Sequence, residues 1–212
     1  MSCSHCVGIE REFDKKTAAK DLKRYRKKGP SKTTQMLLSA LKANEISGNT
    51  LLDIGGGVGT IQHELIKAGI QEATGVDAAS AYLEAVKEEA ERLGHTDHMR
   101  FIYGDFVDKA DQIPPADIVT LDRVICCYPD MDNLVRLSLE RTKVYYALVF
   151  PRDTLRMKLF SYITNFIFRI KRTPFRLYVH PTAKIRRLIE DQGFEQRFYQ
   201  KTFIWQVIVY KR

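Results

Sequence analysis

The sequence predicts an α/β fold with a doubly wound, mostly parallel sheet and helices on both faces. From residue 50 onward, short apolar segments alternate with amphipathic helical ones, as in repeated βαβ units. The first apolar segment runs directly into a glycine-rich turn. The 212 residues suit one domain. A composition of 44% hydrophobic and 28% charged residues excludes disordered and fibrous classes.

The N-terminal arm, residues 1–45, is predicted to be helical after a short tail over residues 1–8. A charged helix from Phe13 to Lys28 should stop at Gly29-Pro30, where proline cannot continue a helix. Ser31 is the predicted N-cap of the next helix. The apolar residues of that helix recur at helical spacing: Met36, Leu37, Leu38, Ala40 and Leu41.

Residues 50–150 carry the alternation that predicts the parallel part of the sheet. The expected strands are Thr50–Ile54, Glu72–Asp77, Met99–Tyr103, Ala116–Leu121 and Val144–Phe150. The expected helices are Thr60–Ala68, Ala81–Leu93 and Asp132–Arg141. Ser80 is the predicted cap of the second of these helices, and Gly94 its C-terminal stop.

The C-terminal third begins with a basic and apolar segment over residues 151–180. A helix from Pro181 to Gln192 should follow, closed by Gly193. The last two apolar runs, Phe194–Gln200 and Phe203–Tyr210, lie close enough to form an antiparallel hairpin. Residues 181–212 therefore complete a seven-stranded sheet within a single domain.

The strand-to-helix turn that follows the first strand reads Asp53-Ile-Gly55-Gly-Gly57-Val-Gly59. Glycine allows backbone angles closed to other residues and lets a ligand approach the main chain. A nicotinamide site expects Gly-x-Gly-x-x-Gly, but that register puts Thr60 at the third glycine. The spacing therefore argues against a dinucleotide with a pyrophosphate.

Acidic residues stand at the ends of four successive predicted strands: Asp53, Asp77, Asp105 and Asp122. The carboxyl ends of parallel strands meet at one edge of the sheet, where open α/β sheets bind ligands. Asp77 comes twenty residues after Gly57, where a carboxylate can accept both hydroxyls of a ribose. The sequence thus predicts a nucleoside site on this edge.

The Asp-x-Gly-x-Gly-x-Gly pattern resembles the signature of class I S-adenosylmethionine methyltransferases. The resemblance implies that Asp53 orders the loop and the methionine end, and that Asp105 receives the adenine amine with Phe106 near the ring. The cofactor-binding residues expected on this basis are Tyr25, Asp53, Gly55, Gly56, Gly57, Gly59, Asp77, Ala78, Gly104, Asp105, Phe106, Asp122 and Arg123.

Within that class, the chain is similar to the magnesium-protoporphyrin O-methyltransferase group. In that group an arginine-aromatic pair shortly before a glycine helps to close over the cofactor, as Arg24-Tyr25 precedes Gly29 here. A Tyr-Pro pair after the fourth strand is matched by Tyr128-Pro129. Cys127, however, occupies the position at which the pigment enzymes carry histidine.

The resemblance implies O-methylation of a carboxylate or hydroxyl on a small apolar acceptor, and the basic residues of the chain would also suit an anionic one. The candidate catalytic residues are Asp122, Tyr128 and His180. Residues 155–171 place apolar side chains at helical spacing between basic ones. That segment could be a lid over the acceptor, a packed cover helix, or a patch that lies in a membrane surface.

Two alternatives remain open at this point. The basic arm, with ten basic and three acidic residues from Arg11 to Lys32, would suit an RNA methyltransferase. That class, however, carries an Asn/Asp-Pro-Pro-Tyr/Phe motif after the fourth strand, and none is present here. The missing histidine would also suit a non-catalytic cofactor-binding or interaction protein.

The four cysteines predict no disulfide framework, and the polar N-terminus predicts a cytoplasmic protein. Cys126-Cys127 is expected to line the pocket. Cys3-Ser-His5-Cys6 has metal-ligand spacing but supplies only three ligands, so no metal site is predicted. The oligomeric state is not determined by the sequence.

Overall fold

The computed structural model describes residues 4–43 and 49–212, and these form a seven-stranded sheet with helices on both faces. The strands are β1 (Thr50–Ile54), β2 (Glu72–Asp77), β3 (Met99–Tyr103), β4 (Ala116–Asp122), β5 (Thr142–Pro151), β6 (Glu195–Lys201) and β7 (Trp205–Lys211). The helices are α1 (Ser4–Glu12), α2 (Lys15–Lys28), α3 (Lys32–Ala43), α4 (Thr60–Ile66), α5 (Ser80–Leu93), α6 (Phe106–Lys109), α7 (Met131–Glu140), α8 (Leu155–Ile170) and α9 (Thr182–Glu190).

The strand order is β3-β2-β1-β4-β5-β7-β6. The first five strands of this order are parallel, and β7 pairs antiparallel with β5 and with β6. The order reverses between β1 and β4, so the switch point of the sheet lies beside the glycine-rich turn. The predicted doubly wound sheet with a terminal antiparallel hairpin is confirmed.

Two apolar layers, one on each face of the sheet, hold these elements in place. The layer under α3, α4 and α5 joins residues such as Leu37, Leu65 and Val86 to the sheet. The opposite layer, under α6, α7 and α9, contains Leu134 and Ile185. Because both faces are covered, the central strands are apolar on both sides, as a parallel sheet requires.

The prediction of a tail over residues 1–8 is wrong for residues 4–8, which belong to α1, and residues 1–3 lie outside the described part of the chain. This helix is held by tertiary contacts. Gly8 is so close to the main chain of Phe175 that a Cβ there would lie 2.7 Å from the Phe175 amide nitrogen. Glu10 accepts hydrogen bonds from the Ser80 amide at 2.9 Å and from the Ser80 hydroxyl. Contacts of this kind leave no local sequence signal.

The same contact corrects the prediction that Ser80 caps α5. The N-cap is Ala79, without a side-chain hydrogen bond. The Glu10 carboxylate fulfils the capping role from another helix, where an anion suits the positive end of the helix dipole. The predicted C-terminal stop at Gly94 is confirmed, with φ at 69° in the left-handed region. The predicted N-cap Ser31 accepts from the Thr34 amide at 3.4 Å.

The C-terminal segment differs from the sequence expectation mainly in the length of its elements. Helix α9 is three residues shorter than predicted, and β5 is three residues longer. Helix α8 packs on the domain through Met157 and Ser161, while much of its remaining surface is exposed. Within the described residues, no helix is long and apolar enough to cross a membrane.

Candidate active site

A cavity of about 470 Å³ opens at the carboxyl ends of the parallel strands. Its floor is the turn after β1, flanked by the ends of β2, β3 and β4, and its cover comes from the N-terminal arm, α8 and residues 173–177. Most of the predicted cofactor residues line this cavity: Asp53, Gly55, Gly56, Gly57, Asp77, Ala78, Gly104, Asp105, Phe106, Asp122 and Arg123. The structure thus brings together residues from four strand ends.

The turn itself leaves no room for side chains. A Cβ at Gly56 would lie 2.5 Å from Oδ2 of Asp53 and 2.4 Å from Nε2 of Gln62. At Gly59, φ is 73° and a Cβ would lie 2.3 Å from Cγ2 of Val86. The glycines at these positions therefore let the loop fold tightly over the end of β1.

Asp53 is buried beneath the turn rather than directed at solvent. Its Oδ1 accepts from the Thr120 hydroxyl at 2.6 Å, and its Oδ2 accepts from Nε2 of Gln62 at 3.1 Å. Burial raises the pKa of Asp53 to about 7, although the two hydrogen bonds partly offset this increase. The carboxyl group ties the loop to β4 and α4, as expected for a residue that orders the turn.

Asp77 is the second buried carboxylate, and main-chain amides hold it. Its Oδ2 accepts from the Gly57 amide at 3.0 Å, and its Oδ1 accepts from the Ala79 amide at 2.8 Å. Burial raises the pKa of Asp77 to about 6. The side chain therefore connects the end of β2 to the glycine turn, and it lines the cavity at the predicted ribose position.

Asp105, after β3, is the N-cap of α6 and accepts from the Val107 amide at 3.0 Å. The Tyr128 hydroxyl donates to both of its carboxylate oxygens, at 3.0 and 3.1 Å. The Cys6 thiol of α1 lies 3.6 Å from Oδ2 of Asp105. This carboxylate therefore joins the predicted adenine position to the Tyr-Pro segment and to the N-terminal arm.

Asp122, at the end of β4, forms an ion pair with its neighbour. Nε of Arg123 lies 2.9 Å from Oδ1 of Asp122, and the Thr34 hydroxyl donates to Oδ2 at 2.5 Å. Arg123 has φ of 65°, a left-handed conformation that non-glycine residues rarely adopt. The strained backbone aims the guanidinium back at Asp122 and the start of α3, which fixes the arm to the sheet edge.

The cover over this floor is a chain of aromatic rings. Phe13 lies 5.6 Å from both Tyr82 and Phe175, between ring centroids, and Phe168 of α8 lies 5.5 Å from Phe175. All four rings line the cavity, together with Leu177. The rings join α5, the turn before α2, the segment after α8 and α8 itself, so the cavity is closed by residues distant in sequence.

Three predicted site residues lie outside the cavity wall. The Tyr25 ring stacks on His63 and its hydroxyl donates to Glu64 at 3.0 Å, behind the turn. Gly59 packs against Val86. Nε2 of His180 lies 3.0 Å from the Tyr128 carbonyl oxygen, within hydrogen-bonding distance, and burial lowers the pKa of His180. Of the catalytic candidates, Asp122 and Tyr128 line the cavity and His180 does not.

Sequence reasoning missed several residues of the cavity wall. From the arm these are Ile9, Glu12, Phe13, Asp21 and Thr34, and from the C-terminal part they are Phe168, Phe175, Leu177 and Trp205. Arg24 lines the cavity in place of its neighbour Tyr25. The one available signal was the aromatic content of residues 166–178 on a segment expected to cover the site. The arm residues carried none, because their place depends on how α1 and α2 dock.

Cys126 and Cys127 both line the cavity. Their sulfur atoms are 3.8 Å apart, and Sγ of Cys126 lies 3.3 Å from the Arg123 carbonyl. The Cys126 thiol and burial raise the pKa of Cys127. Cys3 and the side chain of His5 lie outside the described part of the chain. Across residues 4–43 and 49–212, no group of three His, Cys, Asp or Glu residues is arranged to hold a metal ion.

Comparison with known proteins identifies the fold and the family. A family model described as "Methyltransferase domain" matches residues 45–193. The chain is 35% identical over 71 residues to ribosomal protein L11 methyltransferase of Vibrio parahaemolyticus. That match covers 34% of this chain and only 24% of the relative.

Solved structures match over nearly the whole chain. Magnesium protoporphyrin IX methyltransferase from Synechocystis PCC 6803, with bound S-adenosylhomocysteine, superposes with a TM-score of 0.72 at 18% identity, covering 96% of this chain and 98% of that one. An O-methyltransferase family protein from Burkholderia thailandensis gives a TM-score of 0.70 at 14% identity, covering 97% and 64%. The chain belongs to the methyltransferase-domain family and has the fold of S-adenosylmethionine-dependent methyltransferases.

Proposed function

We propose that this protein methylates a small-molecule acceptor on a carboxylate or hydroxyl oxygen, with the acceptor held under the aromatic cover. The observation that carries the proposal is the division of the cavity. One side is a rim of strand-end carboxylates and glycine backbone, and the other is a wall of Phe13, Phe168, Phe175 and Leu177. The first suits a cationic nucleoside and the second suits an apolar acceptor.

The residues of the rim fit S-adenosylmethionine. The absence of a Cβ at Gly56 lets the turn close onto Asp53 and Gln62, and a ligand can then approach the main chain of the turn. Each carboxylate oxygen of Asp77 accepts from one main-chain amide, and each has a further lone pair that can accept from a ribose hydroxyl. The carboxylates of the rim also give that side of the cavity a negative potential, which favours a sulfonium cation. Asp53, Gly55, Gly56, Gly57, Asp77, Ala78, Gly104, Asp105, Phe106, Asp122 and Arg123 would hold the cofactor.

The bound cofactor supplies an electrophilic methyl group on a sulfonium sulfur. The contribution of the protein is to bind and align the acceptor oxygen with that methyl group, and good alignment is worth about 7–11 kcal/mol. The aromatic chain from Tyr82 to Phe168 would exclude water from the reacting oxygen and pack on the acceptor. Arg24 and Arg123 are the cavity cations that an acceptor carboxylate could approach.

The acid–base groups of the cavity favour an acceptor that is already ionised. Asp122 forms an ion pair with Arg123 and accepts from the Thr34 hydroxyl, so both of its carboxylate oxygens already have partners. The Tyr128 hydroxyl donates to Asp105, which leaves it without a proton-accepting role. His180, whose low pKa would suit a base, lies outside the cavity wall. A carboxylate acceptor needs no base and fits this set.

The test is product identification. The purified protein is incubated with S-adenosylmethionine carrying a labelled methyl group and with a metabolite extract, and the labelled product is isolated. We expect a base-labile methyl ester or an ether on an apolar small molecule. Label in RNA or protein, or none above the Asp77→Ala variant, would contradict the proposal.

An RNA acceptor is the alternative that the exposed basic residues of α2 favour. Lys16, Lys20, Lys23 and Lys27 are solvent-exposed on that helix, and such a face attracts phosphates. If RNA is the acceptor, binding of an RNA mixture should weaken steeply as salt rises, and the label should appear in RNA. For a non-catalytic protein, stoichiometric cofactor binding without labelled product is the expected result.

The basic and apolar segment after β5 would also allow the protein to contact a membrane surface, whichever acceptor it methylates.

A further inference from the structure

The outward face of α8 is a continuous stripe of exposed apolar side chains. Leu155 is 85% exposed, Tyr162 71% and Ile170 66%. The full stripe consists of Leu155, Leu159, Phe160, Tyr162, Ile163, Phe166, Ile167 and Ile170. Spacings of three and four residues place its members on one side of the helix. Soluble proteins rarely expose a contiguous apolar patch of this size without a binding role.

The opposite face of α8 is fixed to the domain, so the stripe cannot turn inward. Met157 and Ser161 are buried, and the Ser161 hydroxyl donates to the Leu177 carbonyl at 2.7 Å. The Asn165 amide donates to the same carbonyl at 2.8 Å and accepts from the Leu177 main-chain N–H at 2.8 Å. Phe168 contacts Phe175. The inner face already serves the cavity, which leaves the outer face for another partner.

The charges around the stripe are almost all positive. Helix α8 contains Arg156, Lys158 and Arg169 and no acidic residue, and Lys171 and Arg172 follow directly. Between Arg152 and Arg176 the sequence has a single acidic residue, Asp153, which pairs with Lys158 at 2.8 Å. A helix surface that combines exposed apolar side chains with cations is complementary to anionic headgroups above hydrocarbon.

A second exposed apolar element lies beside the start of α8. Phe203, in the turn between β6 and β7, is 72% exposed, and Ile204 is also exposed. This turn is held to the segment before α8, because the Arg152 amide donates to the Ile204 carbonyl at 2.9 Å. The turn therefore lies next to the segment that leads into α8.

We propose that α8, with the β6–β7 turn, binds the surface of an anionic lipid bilayer and lies parallel to it. At sixteen residues the helix is about 24 Å long, shorter than the hydrocarbon core of about 30 Å. The contacts between the inner face of α8 and the domain also prevent the helix from inserting end-on. The apolar stripe enters the headgroup region, and the flanking arginines and lysines contact lipid phosphates.

Vesicle sedimentation tests this inference with the full chain. Vesicles of phosphatidylcholine alone are compared with vesicles of equal parts phosphatidylcholine and phosphatidylglycerol. We expect the protein to partition onto the anionic vesicles at least about tenfold more strongly, because several cations contribute near the charged surface. Equal partitioning onto both vesicles, or none onto either, would overturn the proposal.

Two double variants separate the apolar and the charged contributions. We expect Leu159→Ser with Phe166→Ser to reduce partitioning by about tenfold or more, since both exposed side chains lose their apolar contact. We expect a similar loss for Arg156→Gln with Arg169→Gln. The matched control, Lys16→Gln with Lys20→Gln on α2, removes the same charge and should change partitioning less than about twofold. An equal loss in the control would mean non-specific attraction and refute the role of α8.

Two further measurements keep the result independent of the proposed activity. Cofactor binding by calorimetry should be the same in the wild type and in the Leu159→Ser/Phe166→Ser variant, since these side chains point away from the cavity. Sedimentation velocity should give a monomer. A dimer that this variant dissociates would show that a second copy covers the stripe, and the lipid proposal would fail.

Discussion

The rim of the cavity and its cover are built on different physical principles. On the rim, short-range polar contacts dominate: Asp77 accepts from two main-chain amides, and Asp53 accepts from Thr120 and Gln62. The cover is a set of ring contacts 5.5 to 5.6 Å apart between segments far apart in sequence. Directional hydrogen bonds place atoms precisely, whereas ring contacts tolerate adjustment.

This difference suits a common cofactor and a variable acceptor. A nucleoside presents fixed donors and acceptors, and the rim that would bind it is confined to strand ends and one turn. The acceptor requires shape and apolar area, which different aromatic residues can provide. We therefore expect changes on the rim to reduce cofactor affinity strongly and changes in the cover to spare it.

The largest effect is expected for Asp77→Ala. The substitution removes the acceptor for the Gly57 and Ala79 amides and the proposed contact with the ribose. Charge-assisted hydrogen bonds of this kind contribute about 1.5–3 kcal/mol each, so cofactor affinity should fall by about a thousandfold. Isothermal titration calorimetry measures it. Asp77→Asn, which keeps one acceptor oxygen, should lose less. Unchanged affinity in both variants would contradict the assignment of the rim.

A smaller loss is expected for Gly56→Ala. The added Cβ would lie 2.5 Å from Oδ2 of Asp53, so the turn must shift and disturb the buried carboxyl group. We expect about 3 kcal/mol of lost cofactor affinity, a hundredfold or more. The control is Gly94→Ala at the end of α5, which has no neighbour within 4 Å of an added Cβ and does not line the cavity; because its φ is 69°, it tests general destabilisation without crowding of the turn. If the control lost the same affinity, steric crowding of the turn would not be the cause.

The rim should also make the stability of the cofactor-free protein depend on pH. Burial raises the pKa of Asp53 to about 7 and that of Asp77 to about 6, both above the ordinary value of 3.8. A raised pKa means that the folded state binds the proton more tightly. The stabilisation is therefore complete below about pH 4 and is lost as the pH rises through 6 and 7.

For these two groups alone we expect the free energy of unfolding to fall by about 3 kcal/mol between pH 5.5 and pH 8, with the larger share from Asp53. Urea unfolding at a series of pH values measures the change. The Asp53→Asn variant should flatten the profile over this window. A wild-type profile that rises with pH while the variant's does not would mean that Asp53 is stabilised as the anion.

The smallest effect on cofactor affinity is expected in the cover. Phe168→Ala should leave the cofactor dissociation constant within about twofold, because the ring contacts Phe175 rather than the rim. Acceptor turnover should fall about tenfold as the apolar wall loses area. Calorimetry and turnover of the labelled product measure the two quantities. Equal losses in both would erase the distinction between rim and cover.

The accuracy of the sequence predictions follows the same division. The alternation of apolar segments predicted β1, β2 and β3 with the bounds that the structure has, because a strand buried on both faces must be apolar throughout. The positions of Asp53, Asp77 and Asp105 followed from strand ends in a parallel sheet. Helix α1 and the capping of α5 by Glu10 were missed, since each depends on contacts between residues 70 or more positions apart in sequence.

By itself, the sequence determined the sheet, the glycine turn and the row of carboxylates, because these features arise from local periodicity and from residues adjacent to strand ends. Only the tertiary structure decided that Arg24 rather than Tyr25 lines the cavity, that His180 lies behind Tyr128, and that the apolar stripe of α8 faces outward. The reason is physical: a helical period identifies an apolar face, but the partner of that face is set by the packing of the whole chain.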